Sequence, residues 1–131
     1  MKNTTPKTSR MTRQRGVVVG VFESNPRPLA PEEVLNLAKL GQPKVSLSTV
    51  YRTIKRLLDD GWLKTVELPG LSPRYEIAGK HHSHHHHFVC IMCDRTYDIE
   101  GCGVNLRAIV PRGFKLTDHH LTLFGQCGSC R

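Results

Sequence analysis

Four cysteines of the chain fall into two C-x-x-C pairs, and these pairs predict a metal site. The pairs are Cys90-x-x-Cys93 and Cys127-x-x-Cys130, separated by 33 residues. Four soft thiolates complete the closed tetrahedral shell that Zn²⁺ prefers, so we expect structural zinc with no open position for a substrate. A redox dithiol or a pair of disulfides is the alternative, which a cytosolic setting disfavours. The fifth cysteine, Cys102, is most simply a small buried apolar residue.

Six histidines between residues 81 and 87 lead directly into the first cysteine pair. On a strand, His85 and His87 point to one side, and His84 and His86 point to the other. Imidazole is a good ligand for zinc, nickel, copper or ferrous iron, although histidines on a strand can also be plain surface residues. Four further side chains are candidates to complete one or two mixed nitrogen and oxygen sites: Glu76, Asp98, Glu100 and His119.

The elements around these ligands predict a small α/β domain over residues 80–131. Residues 96–99 and 116–124 have the composition of strands, and they lie between the two cysteine pairs. A mixed nitrogen and oxygen site on such a sheet should hold metal less tightly than four thiolates do, which suits a sensor.

The first 79 residues predict three helices and a hairpin. Thr12 is a candidate N-cap for a first helix, and Pro31 suits the first position of a second helix that Gly41 ends. Ser46 is a candidate N-cap for a third helix, with Gly61 as its stop. Residues 62–68 and 74–77 then read as two short strands, which completes a winged helix-turn-helix. The alternative is a helical protein–protein module with a solvated basic face.

The charge distribution favours DNA as the partner of this first domain. Residues 1–79 carry 13 Lys and Arg against 7 Asp and Glu, whereas residues 80–131 carry 6 against 4. The basic N-terminal arm includes Lys7 and Arg10, and hydroxyls and cations lie off the apolar stripe of the third helix, where they suit phosphates and base edges. The predicted DNA-binding residues are Arg13, Arg15, Ser48, Thr49, Tyr51, Arg52 and Lys55.

Four ordered motifs of the sequence resemble the ferric uptake regulator (Fur) family. Residues 46–52, SLSTVYR, resemble its S-L-x-T-V-Y-R recognition helix, and residues 74–76, RYE, resemble the end of its wing. Residues 84–93, HHHHFVCIMC, resemble its histidine-rich cysteine knuckle, and residues 119–130 resemble its final strand and second cysteine pair. The resemblance implies an α+β chain with a winged helix-turn-helix over residues 1–79 and a zinc-stapled dimerisation domain over residues 80–131.

The resemblance also implies roles for the candidate ligands. Cys90, Cys93, Cys127 and Cys130 would hold structural zinc. Glu76, His85, His87 and Asp98 match a sensing site at the hinge between the domains. His84, His86 and His119 match a second site, for which Glu100 or Cys102 is the substitute for a glutamate that has no clean counterpart.

Two departures from the family pattern bear on the sensed metal. Arg27 and Pro28 stand where family members often place a ligand histidine, which weakens a peroxide-sensing interpretation. His86 stands where iron-responsive members commonly have Asp, so the all-histidine run looks more like the zinc uptake regulators.

We therefore expect a homodimeric, metal-dependent transcriptional regulator, most simply a repressor, that binds a double-stranded DNA operator. Zinc is the favoured regulatory metal, with ferrous iron, manganese or nickel as alternatives, and an iron-responsive or peroxide-sensing member remains open. From other classes, a zinc-binding chaperone or storage protein is the alternative, and no H-E-x-x-H or comparable site points to an enzyme. No signal peptide or membrane span is apparent, which predicts a cytoplasmic protein.

Overall fold

The structure is a computed structural model that describes residues 10–79, 85–101 and 105–131, with side chains described from residue 13 onward. The chain forms two compact units, Met1–Ala78 and Gly79–Arg131. Helices and strands are mixed, as the sequence predicts, and each unit is described by itself. Within the described residues, no helix is both long enough and apolar enough to cross a bilayer.

The N-terminal unit contains three helices followed by a hairpin. The elements in chain order are α1 (Arg10–Ser24), α2 (Pro31–Ala38), α3 (Leu47–Asp59), β1 (Leu63–Val66) and β2 (Arg74–Ile77). Strands β1 and β2 are antiparallel, with Leu63 opposite Ile77 and Val66 opposite Arg74. β1 is shorter than the predicted strand over residues 62–68. Its partner β2 begins at Arg74, which lies opposite Val66, so the pairing of the two strands ends there.

The ends of the helices confirm some of the predicted caps and correct others. Pro31 is the first residue of α2, and the Oγ of Ser46 accepts a hydrogen bond of 3.2 Å from the Thr49 amide at the start of α3. Gly61 has a φ of +78°, which glycine adopts without steric cost, so the predicted stop of α3 is confirmed. Thr12 does not cap α1, because the helix already includes Arg10.

The second helix ends earlier than the glycine that was predicted to stop it. α2 ends at Ala38, and the following turn closes through amide-to-carbonyl bonds from Leu40 to Leu37 and from Gly41 to Ala38. These bonds span three residues rather than four, so the last turn tightens before Gly41 is reached.

The apolar face of each helix meets the others in one core. Val18 and Phe22 of α1, Val34 of α2, and Val50 and Ile54 of α3 are all buried. The Trp62 ring packs edge-on against Phe22, with centroids 6.4 Å apart. This core fixes how α3 is held, and it leaves the polar face of α3 toward solvent.

The C-terminal unit is a three-stranded sheet with the order β4-β3-β5. Its strands are β3 (His86–Cys90), β4 (Thr96–Ile99) and β5 (Thr122–Gly125), and a short 3₁₀ helix spans Leu106–Ile109. β4 pairs antiparallel with β3, whereas β5 pairs parallel with it. The predicted strand at residues 96–99 is confirmed.

The predicted strand over residues 116–124 is largely wrong. Pairing begins only at Thr122. Just before it, the Asp118 carboxylate accepts a hydrogen bond of 2.8 Å from the His119 amide. Such a local side-chain bond offers the backbone an alternative to the strand ladder, which delays the start of β5.

A close contact between Phe88 and Gly125 joins β3 to β5 and generates the first prediction. A Cβ atom added at Gly125 would lie 2.9 Å from the Phe88 Cζ atom, so Gly125→Ala should weaken the sheet by about 1–3 kcal/mol. Faster hydrogen exchange of the β3 and β5 amides would report this loss. Gly20→Ala is the control, because nothing lies within 4 Å of that position on α1, and it should leave these amides unchanged. Equal exchange rates in Gly125→Ala and the wild type would contradict the prediction.

Candidate metal centres and nucleic-acid interface

The parallel pairing of β3 and β5 brings the two cysteine pairs together. Cys90, the last residue of β3, is in register with Gly125, the last residue of β5, and Cys127 follows two residues later. The Ile91 amide donates a hydrogen bond of 2.8 Å to the Gly125 carbonyl, which holds the first turn against the second. As a result, the sulfur atoms of four cysteines all lie within 4.8 Å of one another. The members of this sulfur cluster are Cys90, Cys93, Cys127 and Cys130.

The spacing of the sulfur cluster fits a tetrahedral metal ion. All four are free cysteines, and the Sγ atoms of Cys93 and Cys127 are 3.8 Å apart. A Zn–S bond of about 2.3 Å implies sulfur-to-sulfur separations of about 3.8 Å around a tetrahedron. The donor set therefore suits structural zinc.

Backbone amides prepare one of the sulfurs as an anion. The Cys90 Sγ accepts hydrogen bonds of 3.4 Å from the amides of Cys93, Met92 and Cys127. These bonds, that from Cys93 most of all, lower the pKa of Cys90 to about 6. The pKa of Cys130 is raised to about 12, first by its side-chain hydrogen bond with Cys127 and then by burial. A bound cation would deprotonate the thiols that coordinate it.

A second group of ligand atoms, the imidazole–carboxylate cluster of His85, His87 and Asp98, lies at the other end of β3. The Oδ1 atom of Asp98 is 3.0 Å from the Nε2 of His85 and 3.4 Å from the Nε2 of His87. His87 and Asp98 face each other in the β3–β4 register. The Nε2 atom of His87 is buried and makes no hydrogen bond to any residue in the described part of the chain. A buried imidazole nitrogen aimed at a carboxylate is a natural metal ligand, so these residues fit a divalent cation.

Glu76, the remaining predicted ligand of the sensing site, belongs to the N-terminal unit. It lies on β2 opposite Lys64, it is 5% exposed, and its Oε2 atom is 3.5 Å from the Lys64 Nζ. The positions where a family histidine was expected are otherwise engaged: Arg27 forms a 2.6 Å ion pair with Glu33, and Pro28 is fully buried.

The opposite side of β3 carries the residues of the predicted second site. His86 is buried, and its Nε2 atom is 3.2 Å from the Nε2 of His119. Two imidazoles on one tetrahedral zinc ion would have nitrogens about 3.3 Å apart. Glu100 follows β4 and is exposed. His84 and Cys102 lie outside the described residues.

The solvent face of α3 carries the predicted DNA-binding residues. Ser48, Arg52 and Lys55 project from it, and Tyr51 is 47% exposed. The helical spacing of apolar residues in this helix predicts a stripe of Val50, Tyr51, Ile54, Leu57 and Leu58. The structure corrects this prediction, since Thr53 is buried and Tyr51 is exposed. A groove beside this face is lined by Arg15, Thr49, Arg52, Thr53, Lys55, Arg56 and Asp59.

Hydroxyl groups at the start of α3 hold one of these cations in place. Thr49 Oγ1 accepts a hydrogen bond of 3.3 Å from Arg52, and Ser46 Oγ donates a bond of 3.1 Å to the same oxygen. Arg13 is exposed on α1, and Arg15 is ion-paired with Asp60. Lys7 lies outside the described residues, and so does the side chain of Arg10. The sequence did not single out Asp59 or Asp60, although the four-residue spacing of Lys55 and Asp59 is a readable signal.

Comparison with known proteins identifies the lineage. A model of the ferric uptake regulator family matches residues 7–124. The chain belongs to this family. Fur-family proteins are metal-responsive transcription regulators, and the curated relatives include the ferric uptake regulation protein of Synechococcus elongatus, 31% identical over 127 residues that cover 93% of this chain and 86% of the relative.

Two solved structures of Fur-family relatives agree with the fold. One is a zinc-bound manganese uptake regulator, 29% identical, with a TM-score of 0.73 and 91% of each chain covered. The other is the Helicobacter pylori ferric uptake regulator, described as having three functional metal binding sites. It is 27% identical, with a TM-score of 0.61, and the match covers 99% of this chain and 82% of that one. The predicted fold class is thereby confirmed, including the four-cysteine cluster compatible with zinc.

The sulfur cluster generates the second prediction. Cys93→Ser should remove a metal-bound thiolate, lower the zinc content of the purified protein, and unfold the sheet of the C-terminal unit, because β3 and β5 are joined at this end by the cluster. Elemental analysis and near-ultraviolet circular dichroism would measure both effects. Met92→Ser, at an exposed position of the same turn that is outside the ligand set, is the control and should keep full zinc. A Cys93→Ser protein with full zinc and an unchanged spectrum would contradict the prediction.

Proposed function

We propose that this chain is a zinc-responsive repressor that binds double-stranded DNA as a homodimer and controls genes of metal homeostasis. The observation that carries the proposal is the pairing of two unlike metal-binding groups in one unit. The sulfur cluster is closed and suited to permanent metal, whereas the imidazole–carboxylate cluster has only three described donors within the unit. A site of imidazole and carboxylate groups binds more weakly and can exchange its metal, as sensing requires.

Glu76 is our proposed fourth ligand of the sensing site. The support is its match to the family's wing motif and its position on β2, two residues before the end of the N-terminal unit. A ligand from each unit would let the bound cation act as a cross-link, which is the chemistry that the metal supplies. His85, just before β3, and His87, on β3, would hold the cation, and Asp98 would supply negative charge from β4.

Zinc is favoured over iron by the size and kind of the donor set. Two imidazoles and two carboxylates make four ligands, the number that zinc takes with little geometric preference. The α1–α2 connection offers no side-chain ligand where the family histidine would stand, because Arg27 is paired with Glu33 and the Pro28 side chain has no donor atom. His86, in place of the aspartate common in iron-responsive members, faces His119.

Iron is the second candidate, and one contact supports it. The Asp98 carboxylate lies between both imidazoles, and a two-histidine, carboxylate set also suits ferrous iron or manganese. The names of the curated relatives point the same way, since they are called ferric uptake regulation proteins.

A second copy of the chain is the proposed partner of the C-terminal unit. Phe114, Leu123 and Phe124 are 71%, 43% and 52% exposed, and the last two lie on β5, an edge strand of the sheet. Large exposed apolar side chains beside an unpaired strand edge are typical of an association surface. A symmetric pair would present two copies of α3 to successive major grooves.

The proposed control is a population shift between hinge arrangements. With the cation bound, the two recognition helices of a dimer would be held at one separation, so that docking to an operator costs little ordering. Without it, the range of arrangements would be wider, and specific binding would carry the cost of selecting one of them.

The imidazole–carboxylate cluster generates the third prediction. Asp98→Asn removes the shared anion, so it should weaken regulatory metal binding and abolish metal-dependent operator binding while the structural zinc stays. The measurement is a DNA-binding titration at buffered free zinc, ferrous iron, manganese or nickel, on fragments selected from the host's metal-transport promoters. Asp118→Asn, on an exposed carboxylate, is the matched control.

Each outcome of this titration has a defined meaning. Half-maximal DNA binding at the lowest free concentration for zinc supports the zinc assignment, and activation by ferrous iron at its ordinary cellular concentration, without zinc, favours the iron candidate. If the metal-loaded protein binds metal at the cluster but no promoter fragment, a storage or chaperone role replaces regulation.

Arg52 on the solvent face of α3 generates the fourth prediction. Arg52→Ala should weaken operator binding by roughly 1–3 kcal/mol if the guanidinium reads a base edge, and it should leave the zinc content unchanged. Arg112→Ala, an equal change of charge on an exposed residue of the C-terminal unit, is the control. Equal operator affinities of Arg52→Ala and the wild type at matched salt would show that the docking assignment is wrong.

A further inference from the structure

Two cations of the proposed DNA surface are already ion-paired with acids of the same unit. The Arg15 guanidinium on α1 is 3.3 Å from Asp60 Oδ2, just after the end of α3. The Lys55 ammonium is 3.5 Å from Asp59 Oδ2, one turn further along α3. Asp59 itself lines the basic groove with Arg15 and Arg52. Acidic side chains are therefore built into the surface on which DNA phosphates would have to sit.

These pairs compete with a phosphate for the same donors. The guanidinium fork of Arg15 matches a carboxylate and a phosphate equally well in geometry, so a phosphate at this position has to displace Asp60. The released carboxylate then recruits a cation from solution. That uptake offsets one of the counterions that DNA releases when its phosphates are neutralised, which reduces the electrostatic gain of binding.

We propose that Asp60 is a specificity-determining residue of the DNA surface, acting as an internal competitor for phosphate at Arg15. Binding to DNA of arbitrary sequence depends almost wholly on such phosphate contacts, whereas operator binding also draws on base contacts from the first turns of α3. An internal competitor therefore reduces the affinity for DNA of arbitrary sequence by a larger fraction than it reduces the affinity for the operator. This inference rests on the proposed function, since it needs α3 to face DNA.

Of the two ion pairs, Arg15–Asp60 is the better placed to compete with a phosphate. Its side chains are 42% and 51% exposed, against 78% and 64% for Lys55 and Asp59. It also joins two elements, so its geometry is held by the packing of α1 against α3. The Lys55–Asp59 pair lies along one helix surface, where such pairs are individually weak. Asp59→Asn should therefore have the smaller effect.

The test uses full-length, zinc-loaded protein and a duplex of random sequence, so that no operator has to be known. Asp60→Asn keeps the size and removes the charge. It should tighten binding to this duplex by about two- to fivefold, the range expected for an exposed pair, and steepen the dependence of log K on log salt by about one. Asp118→Asn makes the same change of net charge in the other unit and should leave both quantities near the wild-type values.

A double-mutant cycle separates competition from a general change of local field. In an Arg15→Gln background, Asp60→Asn should have no further effect, because the donor for which Asp60 competes is gone. If Asp60→Asn tightens binding equally with and without Arg15, or no more than Asp118→Asn does, the inference is overturned. If instead the wild type binds no duplex under any metal condition, the proposed function itself fails and this inference falls with it.

Discussion

The parallel pairing of β3 with β5 is the constraint on which the metal chemistry of this chain depends. It places Cys90 level with Gly125, so that two cysteine pairs 33 residues apart in sequence end at the same edge of the sheet. The contact between Phe88 and the side-chain-free Gly125 allows the two strands to approach. Once β3 is fixed in this way, strand alternation places its two histidines on opposite faces, because neighbouring residues of a strand point to opposite sides. His87 meets Asp98 on one side, and His86 meets His119 on the other.

Two kinds of donor lie near opposite ends of β3, and in the proposed function they separate structural from regulatory chemistry. Four sulfurs form a closed shell, and three backbone amides already hold the pKa of Cys90 at about 6, so that this end is prepared for a cation at neutral pH. The imidazoles at the other end are neutral donors and need a carboxylate to balance the charge of a divalent ion. In the proposed function, a folded sheet held by the first site would therefore gain and lose metal at the second without unfolding.

The sequence predicted those features that local chemistry decides. The Ser46 cap, the Pro31 start, the Gly61 stop and the strand at Thr96–Ile99 each depend on neighbouring residues, and the cysteine spacing carries its own geometry. Prediction failed where tertiary or competing local bonds decide. The strand at residues 116–124 shrank to Thr122–Gly125 because Asp118 bonds the backbone ahead of it. Tyr51 fits a helical apolar pattern, yet the core selects Thr53 instead. That Asp60 meets Arg15, 45 residues away, depends on how α1 packs on α3 and has no signature in the sequence.

The two acidic residues at the end of α3 destabilise the helix on which they lie, and this effect bears on their role. Asp59 and Asp60 lie at the negative end of the helix macrodipole, where an anion is unfavourable by about 0.3–1 kcal/mol. Their ion pairs with Lys55 and Arg15 offset part of that cost, but exposed pairs of this kind contribute little to stability. A neutral residue at position 60 would avoid the cost and leave Arg15 available for phosphate. The ion pair alone is therefore a weak reason for a carboxylate at this position, and the proposed restraint of indiscriminate DNA binding would supply a stronger one.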